Sequence, residues 1–236
     1  MSPASRHKQK PCVVIPAYRE QRMIHNVVER VRKYVQPVIV VDDGSPDRTA
    51  AEAADAGAVV VRHTLNMGKG MALNTGFNYA RQNRFDYLIT LDADGQHDPA
   101  DIPRFIEAYE RTGIPVLIGN RMGALSNMPQ VRKWTNRYMS WLLSRAMNQY
   151  VPDTQCGFRL YRCDVLPFIE AQSARFAAES EILLHIASRG IRMDAVPIAV
   201  IYNEEISKIS PIHDTFRFFL MLSRYYRSRN RSCQRQ

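Results

Sequence analysis

The sequence lacks the long apolar segments that would place the chain in a membrane. No apolar run approaches the roughly 18 residues that a membrane-spanning helix needs. Basic residues occur between Met1 and Pro11, but the apolar segment that a secretory signal peptide requires does not follow them. Internal repeats, low-complexity tracts and linkers are also missing. With 236 residues, we expect one globular domain behind a disordered lead-in at residues 1–10.

Cysteine is scarce, and its spacing indicates neither a disulfide framework nor a zinc site. The four cysteines form neither a CxxC pair nor a zinc-type pattern: Cys12, Cys156, Cys163 and Cys233. Buried reduced thiols in a cytosolic protein are therefore expected rather than a disulfide framework. A Gly-x-Ser-x-Gly elbow and a P-loop are absent, and Leu73 occupies the third glycine position of a dinucleotide fingerprint.

Acidic residues are outnumbered by basic ones. The 32 lysines and arginines against 23 aspartates and glutamates give a net charge of +9 and an isoelectric point near 9.6. This charge predicts an anionic partner, which could be nucleic acid, anionic lipid or a phosphorylated substrate. We expect no nucleic acid partner, because the arginines form no recognisable nucleic-acid motif and the acidic loops would repel phosphates without a metal. No oligomeric state is predicted.

Short apolar runs alternate with segments of helical periodicity through the first half of the chain. Strands are expected at residues 12–15, 38–41, 58–61, 87–91 and 116–118, and helices at residues 19–35, 47–56, 68–82 and 99–111. Because each strand is a continuous apolar run, the pattern predicts an α/β fold with a mainly parallel, Rossmann-like sheet and helices on both faces. Ligands of such sheets bind at the carboxyl ends of the strands.

The second half of the chain is less regular. Helices are expected at residues 130–148 and 179–189, with a turn-rich segment at residues 153–161 between them. A strand is expected at residues 195–202, and Pro197 places it at an edge of the sheet.

Two helical surfaces have two possible partners each. Trp134, Tyr138 and Trp141 recur at i, i+4 and i+7, which suits either a core-facing or a membrane-facing stripe. Residues 211–236 are expected to form a basic amphipathic helix that either contacts a membrane surface or docks onto the domain. Its arginines at seven-residue spacing lie nearly along one line: Arg217, Arg224 and Arg231.

The segment after the fourth apolar run carries the most informative chemistry. Asp92 and Asp94 flank one residue, and side chains at i and i+2 of an extended backbone point the same way. Two such carboxylates repel each other unless a cation lies between them, and Mg²⁺ or Mn²⁺ suits oxygen ligands. These ions usually complete their shell with water and phosphate oxygens, so the pair predicts a metal-bridged diphosphate. The alternative is an ordinary solvated acidic loop.

Two other segments are candidates for ligand contact. Asp42-Asp43-Gly44-Ser45 follows a buried strand, and its carboxylates either stabilise a turn or accept hydrogen bonds from a base edge or ribose hydroxyls. Asn66-Met67-Gly68-Lys69-Gly70 opens a helix, where backbone amides and the Lys69 ammonium suit an anion. An exposed lysine at a helix start is the alternative for the second segment.

Candidate general bases are few. Glu179 and Glu181 lie at a helix start, where the helix dipole alone favours acids, and either could accept a proton from a substrate. The histidines lack metal-ligand spacing and are expected to be structural or solvated. His97 is the exception, because it adjoins the two aspartates.

Taken in order, four segments resemble those of the family 2 glycosyltransferases of GT-A fold: Val14–Glu20, Val40–Ser45, Asn66–Gly70 and Leu91–Gly95. Two later segments are similar to those of the polyprenyl-phosphate branch, the dolichyl-phosphate mannose and glucose synthases: Asp153–Arg159 and Ser207–Lys208. The resemblance extends from about Pro11 to about Phe219 and implies a catalytic domain at residues 11–210.

The resemblance implies a donor site formed by Pro16, Ala17, Tyr18, Glu20, Asp42, Asp43, Lys69, Asp92, Ala93 and Asp94. It implies a Mg²⁺ or Mn²⁺ site formed by Asp92, Asp94 and Gln96. Phosphate of the donor or the acceptor is expected to contact Arg121, Arg132, Arg159 and Lys208. The expected catalytic residues are Asp92, Asp94 and Glu181. Asn136 stands where relatives usually carry a serine, which leaves acceptor contact near Arg132 open.

The activity that the resemblance implies is transfer of a hexose, with inversion, from a GDP-mannose-type or UDP-glucose-type donor to a polyprenyl or dolichyl phosphate. The second pKa of a phosphate monoester is about 6, so this acceptor is largely ionised at pH 7 and needs no strong base. The alternative acceptor, a sugar hydroxyl of a glycan or lipid-linked saccharide, would need one. Relatives often carry transmembrane helices, and without them we expect peripheral contact at the cytoplasmic, inner surface of the membrane.

Overall fold

The structure, a computed structural model, describes residues 9–123, 130–169, 177–199, 201, 218, 222, 223 and 225, without the side chains of residues 130–132 and 177. Within these ranges, seven strands form one sheet: β1 (Pro11–Ala17), β2 (Val38–Asp42), β3 (Val59–Arg62), β4 (Tyr87–Thr90), β5 (Val116–Asn120), β6 (Arg159–Arg162) and β7 (Met193–Pro197). The same ranges contain six α-helices: α1 (Ile24–Arg32), α2 (Thr49–Asp55), α3 (Lys69–Gln82), α4 (Ile102–Thr112), α5 (Gln130–Met147) and α6 (Ala177–Ser188).

The sheet has the strand order β3-β2-β1-β4-β6-β5-β7. Strand β1 lies parallel between β2 and β4, with Val13 opposite both Val38 and Ile89, and β3 extends this parallel half beyond β2. Successive residues of β1 and β2 are buried, so both faces of this half are covered. The predicted α/β fold with a mainly parallel sheet is therefore confirmed.

Strand β6 is absent from the sequence-based prediction, which assigned residues 153–161 to turns. It runs antiparallel to both β4 and β5, with Leu160 opposite Ile89 of β4. The apolar signal is weak because Arg159 and Arg162 enclose only two other residues. Arg159 is nevertheless 1% exposed, since backbone carbonyls accept its hydrogen bonds.

Several element ends differ from the predicted ones by a few residues. Helix α1 begins at Ile24 rather than at Arg19, whose φ of 58° is left-handed and incompatible with a helix start there. Helix α3 begins after Gly68, which has a φ of 93°. Strand β7 ends at Pro197 instead of residue 202, and it lies at the edge of the sheet as predicted.

Helix α5 presents its aromatic residues to solvent. Trp134, Tyr138 and Trp141 are 67%, 55% and 54% exposed. The core-facing interpretation of this stripe is therefore wrong. The side of α5 that contacts the core carries smaller or aliphatic residues instead: Met139, Ser140, Leu143, Ser144, Ala146 and Met147.

The predicted C-terminal helix and lead-in lie mostly outside the described residues. Phe218 and Leu222 are buried with the core, which fits docking onto the domain at these two positions. Among the residues that the structure describes, no helix is long and apolar enough to cross a membrane. The three described cysteines are free and buried, as predicted, and Cys233 lies outside the described residues.

Candidate active site

Loops that follow β1, β2 and β4 meet at one edge of the sheet, because these three parallel strands are neighbours. Asp43 N donates to Ala17 O at 2.9 Å, which ties the loop after β2 to the end of β1. Arg19 N donates to Ser45 Oγ at 3.0 Å and strengthens the same connection. This edge therefore carries most of the predicted donor residues: Pro16, Ala17, Tyr18, Glu20, Asp42, Asp43, Asp92, Ala93 and Asp94.

The carboxylate of Asp43 organises the loop that leads into α3. Its Oδ1 accepts a hydrogen bond from Met67 N at 2.9 Å, and its Oδ2 accepts one from Gly68 N at 2.7 Å. His63 Nδ1 lies 2.8 Å from Oδ1, while His63 Nε2 lies 2.9 Å from Thr75 Oγ1. Since Asp43 is only 3% exposed, its carboxylate fixes the entrance of α3, which supports the turn-stabilising interpretation.

Gly44 allows the loop after β2 to lie directly against the loop before α3. Its φ is 71°, and a Cβ there would lie 2.5 Å from the backbone carbon of Leu65 and 2.8 Å from Asn66 N. A side chain at this position would push the two loops apart, so the close approach requires glycine.

Asp42 is fully buried and does not fit its predicted contact with the nucleotide. Its Oδ1 accepts a hydrogen bond from Ser45 N at 3.2 Å. Arg62 Nε lies 3.0 Å from Oδ2 but off the hydrogen-bond direction, so among the described residues Oδ2 has an ionic partner and no hydrogen-bond donor. A carboxylate with no exposed surface stabilises the turn rather than a ligand outside it.

Lys69, at the start of α3, lies between two carboxylates. Its Nζ is 2.6 Å from Asp92 Oδ1 and 2.7 Å from Glu179 Oε1, so one ammonium joins the loop after β4 to helix α6. Gly157 permits this contact, because a Cβ there would lie 2.7 Å from Asp92 Oδ1 and 2.8 Å from Glu179 Oε1. The Lys69 side chain is 23% exposed, which leaves the ammonium partly accessible at the edge of the sheet.

The two aspartates of the acidic motif titrate differently. Burial raises the pKa of Asp92, but the positive charge of Lys69 and then the neighbouring His97 oppose it and lower the pKa to about 2. Burial, followed by repulsion from Asp92, raises the pKa of Asp94 to about 6. Asp94 Oδ1 accepts one hydrogen bond, from Gln96 N at 3.0 Å. At pH 7 Asp92 is therefore fully ionised. The negative charge of Asp94 is destabilised by burial and by Asp92, and a bound cation would stabilise it.

This set of donors fits a hard divalent cation. Asp92, Asp94 and the carboxamide of Gln96 offer only oxygen ligands, which Mg²⁺ and Mn²⁺ prefer. A cation between the carboxylates would relieve the repulsion that raises the pKa of Asp94. In the described part of the chain, no group of three or more His, Cys, Asp or Glu side chains forms a metal-ligand cluster. An ion with so few protein ligands takes the others from water and phosphate oxygens.

His97 is buried against the loop that carries Asp92 and Asp94. It is 4% exposed, and its Nδ1 accepts a hydrogen bond from Asp92 N at 3.4 Å, while its Nε2 lies 3.8 Å from Cys156 Sγ. The ring also packs against Phe158. Burial lowers the pKa of His97 to about 4, so the ring is neutral at pH 7. Its position makes His97 a positioning residue for Asp92 rather than a metal ligand.

Arg121, predicted to bind phosphate, follows the end of β5. It makes a bidentate ion pair with Asp153, in which Nε lies 2.7 Å from Oδ2 and Nη2 lies 2.9 Å from Oδ1. Burial lowers the pKa of Arg121, but Asp153 raises it more, so the guanidinium stays charged. The side chain of Arg132 and the whole of Lys208 lie outside the described residues, so their phosphate contacts stay predictions.

Two other predicted site residues do not fit the geometry. Arg159 is buried and donates to the backbone carbonyls of Thr154, Cys156 and Glu179, so it holds these segments together and offers no surface to a phosphate. Glu181 follows Glu179 by two positions, about 200° further round helix α6. The carboxylate that reaches Lys69 is therefore that of Glu179, and the geometry does not favour Glu181 as the catalytic acid or base.

Gly157 and Asp153 are functional candidates that the sequence analysis did not assign. Both lie in the segment Asp153–Arg159, whose resemblance to the polyprenyl-phosphate branch was the available signal. Their roles depend on side chains from α6 and from the loops after β4 and β5, and a single sequence does not show which of these residues meet.

Solved structures identify the class of fold. Glucosyl-3-phosphoglycerate synthase from Mycobacterium tuberculosis, in complex with Mn²⁺, UDP and phosphoglyceric acid, matches with a TM-score of 0.71 and 18% identity over 92% of this chain and 78% of that one. The complex with Mg²⁺ and UDP matches with a TM-score of 0.71 and 19% identity over 92% of this chain and 79% of that one. At these identities the likeness shows the fold alone, which is the GT-A-type glycosyltransferase fold.

The sequence model of glycosyl transferase family 2 matches residues 12–168, and this chain belongs to that family of glycosyltransferases. It is similar to the polyprenol monophosphomannose synthase of Mycolicibacterium smegmatis, with 32% identity over 87% of this chain and 83% of the relative. The UDP-N-acetylglucosamine--dolichyl-phosphate N-acetylglucosaminyltransferase of Methanococcus voltae is 30% identical over 81% of this chain and 86% of the relative. The undecaprenyl-phosphate mannosyltransferase of Micrococcus luteus is 30% identical over 81% and 83%, respectively. The predicted family and enzyme class are confirmed.

Proposed function

We propose that this enzyme transfers a hexose from a nucleotide-diphosphate sugar to a polyprenyl or dolichyl phosphate, with inversion at the anomeric carbon. The observation that carries the proposal is the cluster of Lys69, Asp92 and Glu179 at the carboxyl edge of the parallel strands. The names of the relatives, which specify polyprenyl, dolichyl or undecaprenyl phosphate, support this acceptor. Because those names differ in the sugar, the proposal leaves the donor as a nucleotide sugar of GDP-mannose or UDP-glucose type.

Asp92, Asp94 and Gln96 would hold Mg²⁺ or Mn²⁺ beside the diphosphate of the donor. When bound, the ion supplies positive charge to the leaving diphosphate. The solved structures of the same fold that contain Mn²⁺ or Mg²⁺ together with UDP support the use of a divalent metal here.

Lys69 is placed to stabilise the leaving group. When the bond from the anomeric carbon to the diphosphate breaks, negative charge develops on the phosphate oxygens. The Lys69 ammonium lies 2.6 Å from Asp92, at the edge where those oxygens are expected, and the amino end of α3 adds its backbone amides. Fixed positive groups of this kind stabilise developing charge without reorganising during the reaction.

The acceptor is expected to attack without a strong general base. A phosphate monoester has a second pKa of about 6, so its oxygen is already an anion at pH 7. Glu179 is paired with Lys69 at 2.7 Å and would lose this ion pair by taking a proton, which makes it a poor base for a sugar hydroxyl. Arg121, held in place by Asp153, presents a fixed guanidinium that suits an acceptor phosphate.

The test is a transfer assay with a panel of nucleotide sugars and Mn²⁺, each with and without short-chain polyprenyl phosphate. We expect one donor to give a glycosylated lipid phosphate, detected by mass spectrometry. Donor binding without any product on the lipid would retain the glycosyltransferase site and overturn the proposed acceptor. Sugar-hydroxyl acceptors would then be tested, with Glu179→Gln as the variant that removes the base.

A further inference from the structure

Helix α5 carries a surface that the proposed chemistry does not use. Its large exposed residues fall on one side of the helix, and we call this side the α5 face: Trp134, Arg137, Tyr138, Trp141 and Arg145. The opposite side is buried against the domain. Helix α5 is therefore unusual among amphipathic helices, because its two indole rings lie on the exposed side rather than the buried one.

Neighbouring side chains of the α5 face contact one another. Tyr138 and Trp141 stack with ring centroids 6.1 Å apart, and Arg137 Cζ lies 5.7 Å above the ring of Trp134. The eight residues from Trp134 to Trp141 extend about 10 Å along the helix. A contiguous exposed patch of this kind usually marks an interaction surface, since isolated apolar side chains are the ordinary case.

The chain segment that contains this patch carries charge of a single sign. Residues 111–152 contain six lysines and arginines and no aspartate or glutamate. Lys133, Arg137 and Arg145 form no ion pair with any other residue that the structure describes. Cations beside interfacial aromatic rings are complementary to an anionic lipid surface, which attracts each of them.

The inner side of α5 supports the active site. Thr154 N donates to Ser140 Oγ at 3.0 Å, and Ser140 belongs to the buried side of the helix. Thr154 directly follows Asp153, whose carboxylate pairs with Arg121. The buried side of α5 is thus bonded to the segment that positions Arg121, the residue proposed to bind the acceptor phosphate.

We propose that the α5 face binds the surface of an anionic lipid membrane. Its indoles and Tyr138 would enter the interfacial layer, where Trp and Tyr are favoured, and its arginines would meet lipid phosphates. The purpose of this contact rests on the proposed function, because a polyprenyl phosphate is embedded in such a membrane. The binding itself does not require the acceptor and is tested without it.

Tryptophan fluorescence, excited where tyrosine does not absorb, reports on this face alone, because Trp134 and Trp141 are the only two tryptophans of the chain. The full chain is titrated with phosphatidylcholine vesicles, with and without phosphatidylglycerol. We expect a blue shift of the emission with the anionic vesicles, quenching by brominated acyl chains, and weakening of both with salt. Trp134→Phe and Trp141→Phe leave one reporter each and show whether both indoles enter the lipid.

Substitutions on the face should weaken vesicle binding in proportion to what they remove. Trp134→Ser and Trp141→Ser are each expected to lower the partition coefficient about tenfold, the loss expected for half-burial of a large apolar side chain. Arg137→Gln is expected to lower it about fivefold. Tyr34→Ser, at an aromatic residue that is 44% exposed beyond the end of α1, is the matched control and should leave binding unchanged.

An unchanged emission spectrum with anionic vesicles would overturn the proposal. A blue shift that depends on protein concentration and needs no lipid would also overturn it, because contact between two copies would then cover the face. A double variant, Trp134→Ser with Trp141→Ser, separates this inference from the proposed function. It should keep its rate on water-soluble short-chain polyprenyl phosphate and lose about 100-fold on the long-chain lipid in vesicles, whereas equal rates on both would contradict the inference.

Discussion

The two halves of the sheet contribute different parts of the site. The parallel half, β3-β2-β1-β4, supplies loops that neighbouring backbone groups and Asp43 hold together. The antiparallel junction around β6 supplies Gly157, and α6 supplies Glu179, and these reach the first half through Lys69. The parallel half is thus held together by contacts between neighbouring loops, whereas its connection to the second half depends on one ion-pair cluster between distant segments. The following predictions test whether that cluster joins the two halves in function.

The largest effect is expected from Asp92→Asn, because this change removes the charge that holds Lys69 and would ligate the metal. We expect kcat/KM for transfer to fall about 10³-fold, with the fold retained. The matched control is Asp98→Asn, whose carboxylate pairs with Arg30 at 2.6 Å instead of the cluster. Steady-state kinetics with saturating Mn²⁺ measures both, and similar losses in the two variants would contradict a specific role for Asp92.

Lys69→Met should lower transfer by about 10²- to 10³-fold, since the leaving diphosphate loses a fixed cation. It should also lower the free energy of unfolding by about 1–3 kcal/mol, because two adjacent carboxylates lose their partner. Adding Glu179→Gln removes one of those carboxylate charges, so the double variant should regain stability in urea unfolding but not activity. Recovery of activity in the double variant would show that Lys69 only neutralises Glu179.

Gly157→Ala tests the close approach of the two halves without changing any charge. The added Cβ would lie 2.7–2.8 Å from the carboxylate oxygens of Asp92 and Glu179, and one of them must move. We expect transfer to fall by about tenfold to 100-fold, because displacement by a fraction of an ångström misaligns the reacting groups. Gly123→Ala is the matched control, since a Cβ there meets nothing within 4 Å. Equal kinetics for the two variants would argue against this geometry.

Substitution of His97 is expected to change activity least. Its main effect is on how stability depends on pH. The pKa of His97 is about 4 in the folded protein against an ordinary value of 6.5, so between these values the unfolded chain binds the extra proton. The contribution of neutral His97 to the free energy of unfolding is fully present above pH 6.5. About 2–3 kcal/mol of it is lost as the pH falls towards 4. Urea unfolding of the metal-free enzyme should show this slope, and His97→Gln should reduce it. Identical slopes would exclude His97 as its source.

Much of the parallel half could be predicted because its signals are local. Continuous apolar runs indicated β1 to β5, and the strand order then brought Ala17, Asp43 and Asp92 to one edge. The rest depends on packing that no local pattern encodes. The strand around Arg159 was missed because burial of an arginine requires carbonyl partners, one of which is that of Glu179 on α6.

The errors on helices have a related cause. Periodicity shows that α5 has two sides but does not show which side faces the core, and the large rings of Trp134 and Trp141 proved to be the exposed set. Glu179 and Glu181 share one helix start, and only the packing of α6 decides which of them reaches Lys69. The contact of Arg132 and Lys208 with phosphate stays a prediction.

In the proposed reaction the attacking atom is a phosphate oxygen of the acceptor. The most direct test offers the enzyme, its donor and Mn²⁺ two acceptors of equal chain length, polyprenyl phosphate and polyprenol, and identifies the products by mass spectrometry. We expect a glycosylated lipid phosphate that mild acid hydrolyses, and no reaction with polyprenol. Glycosylation of polyprenol or of a sugar hydroxyl, with polyprenyl phosphate inert, would contradict it.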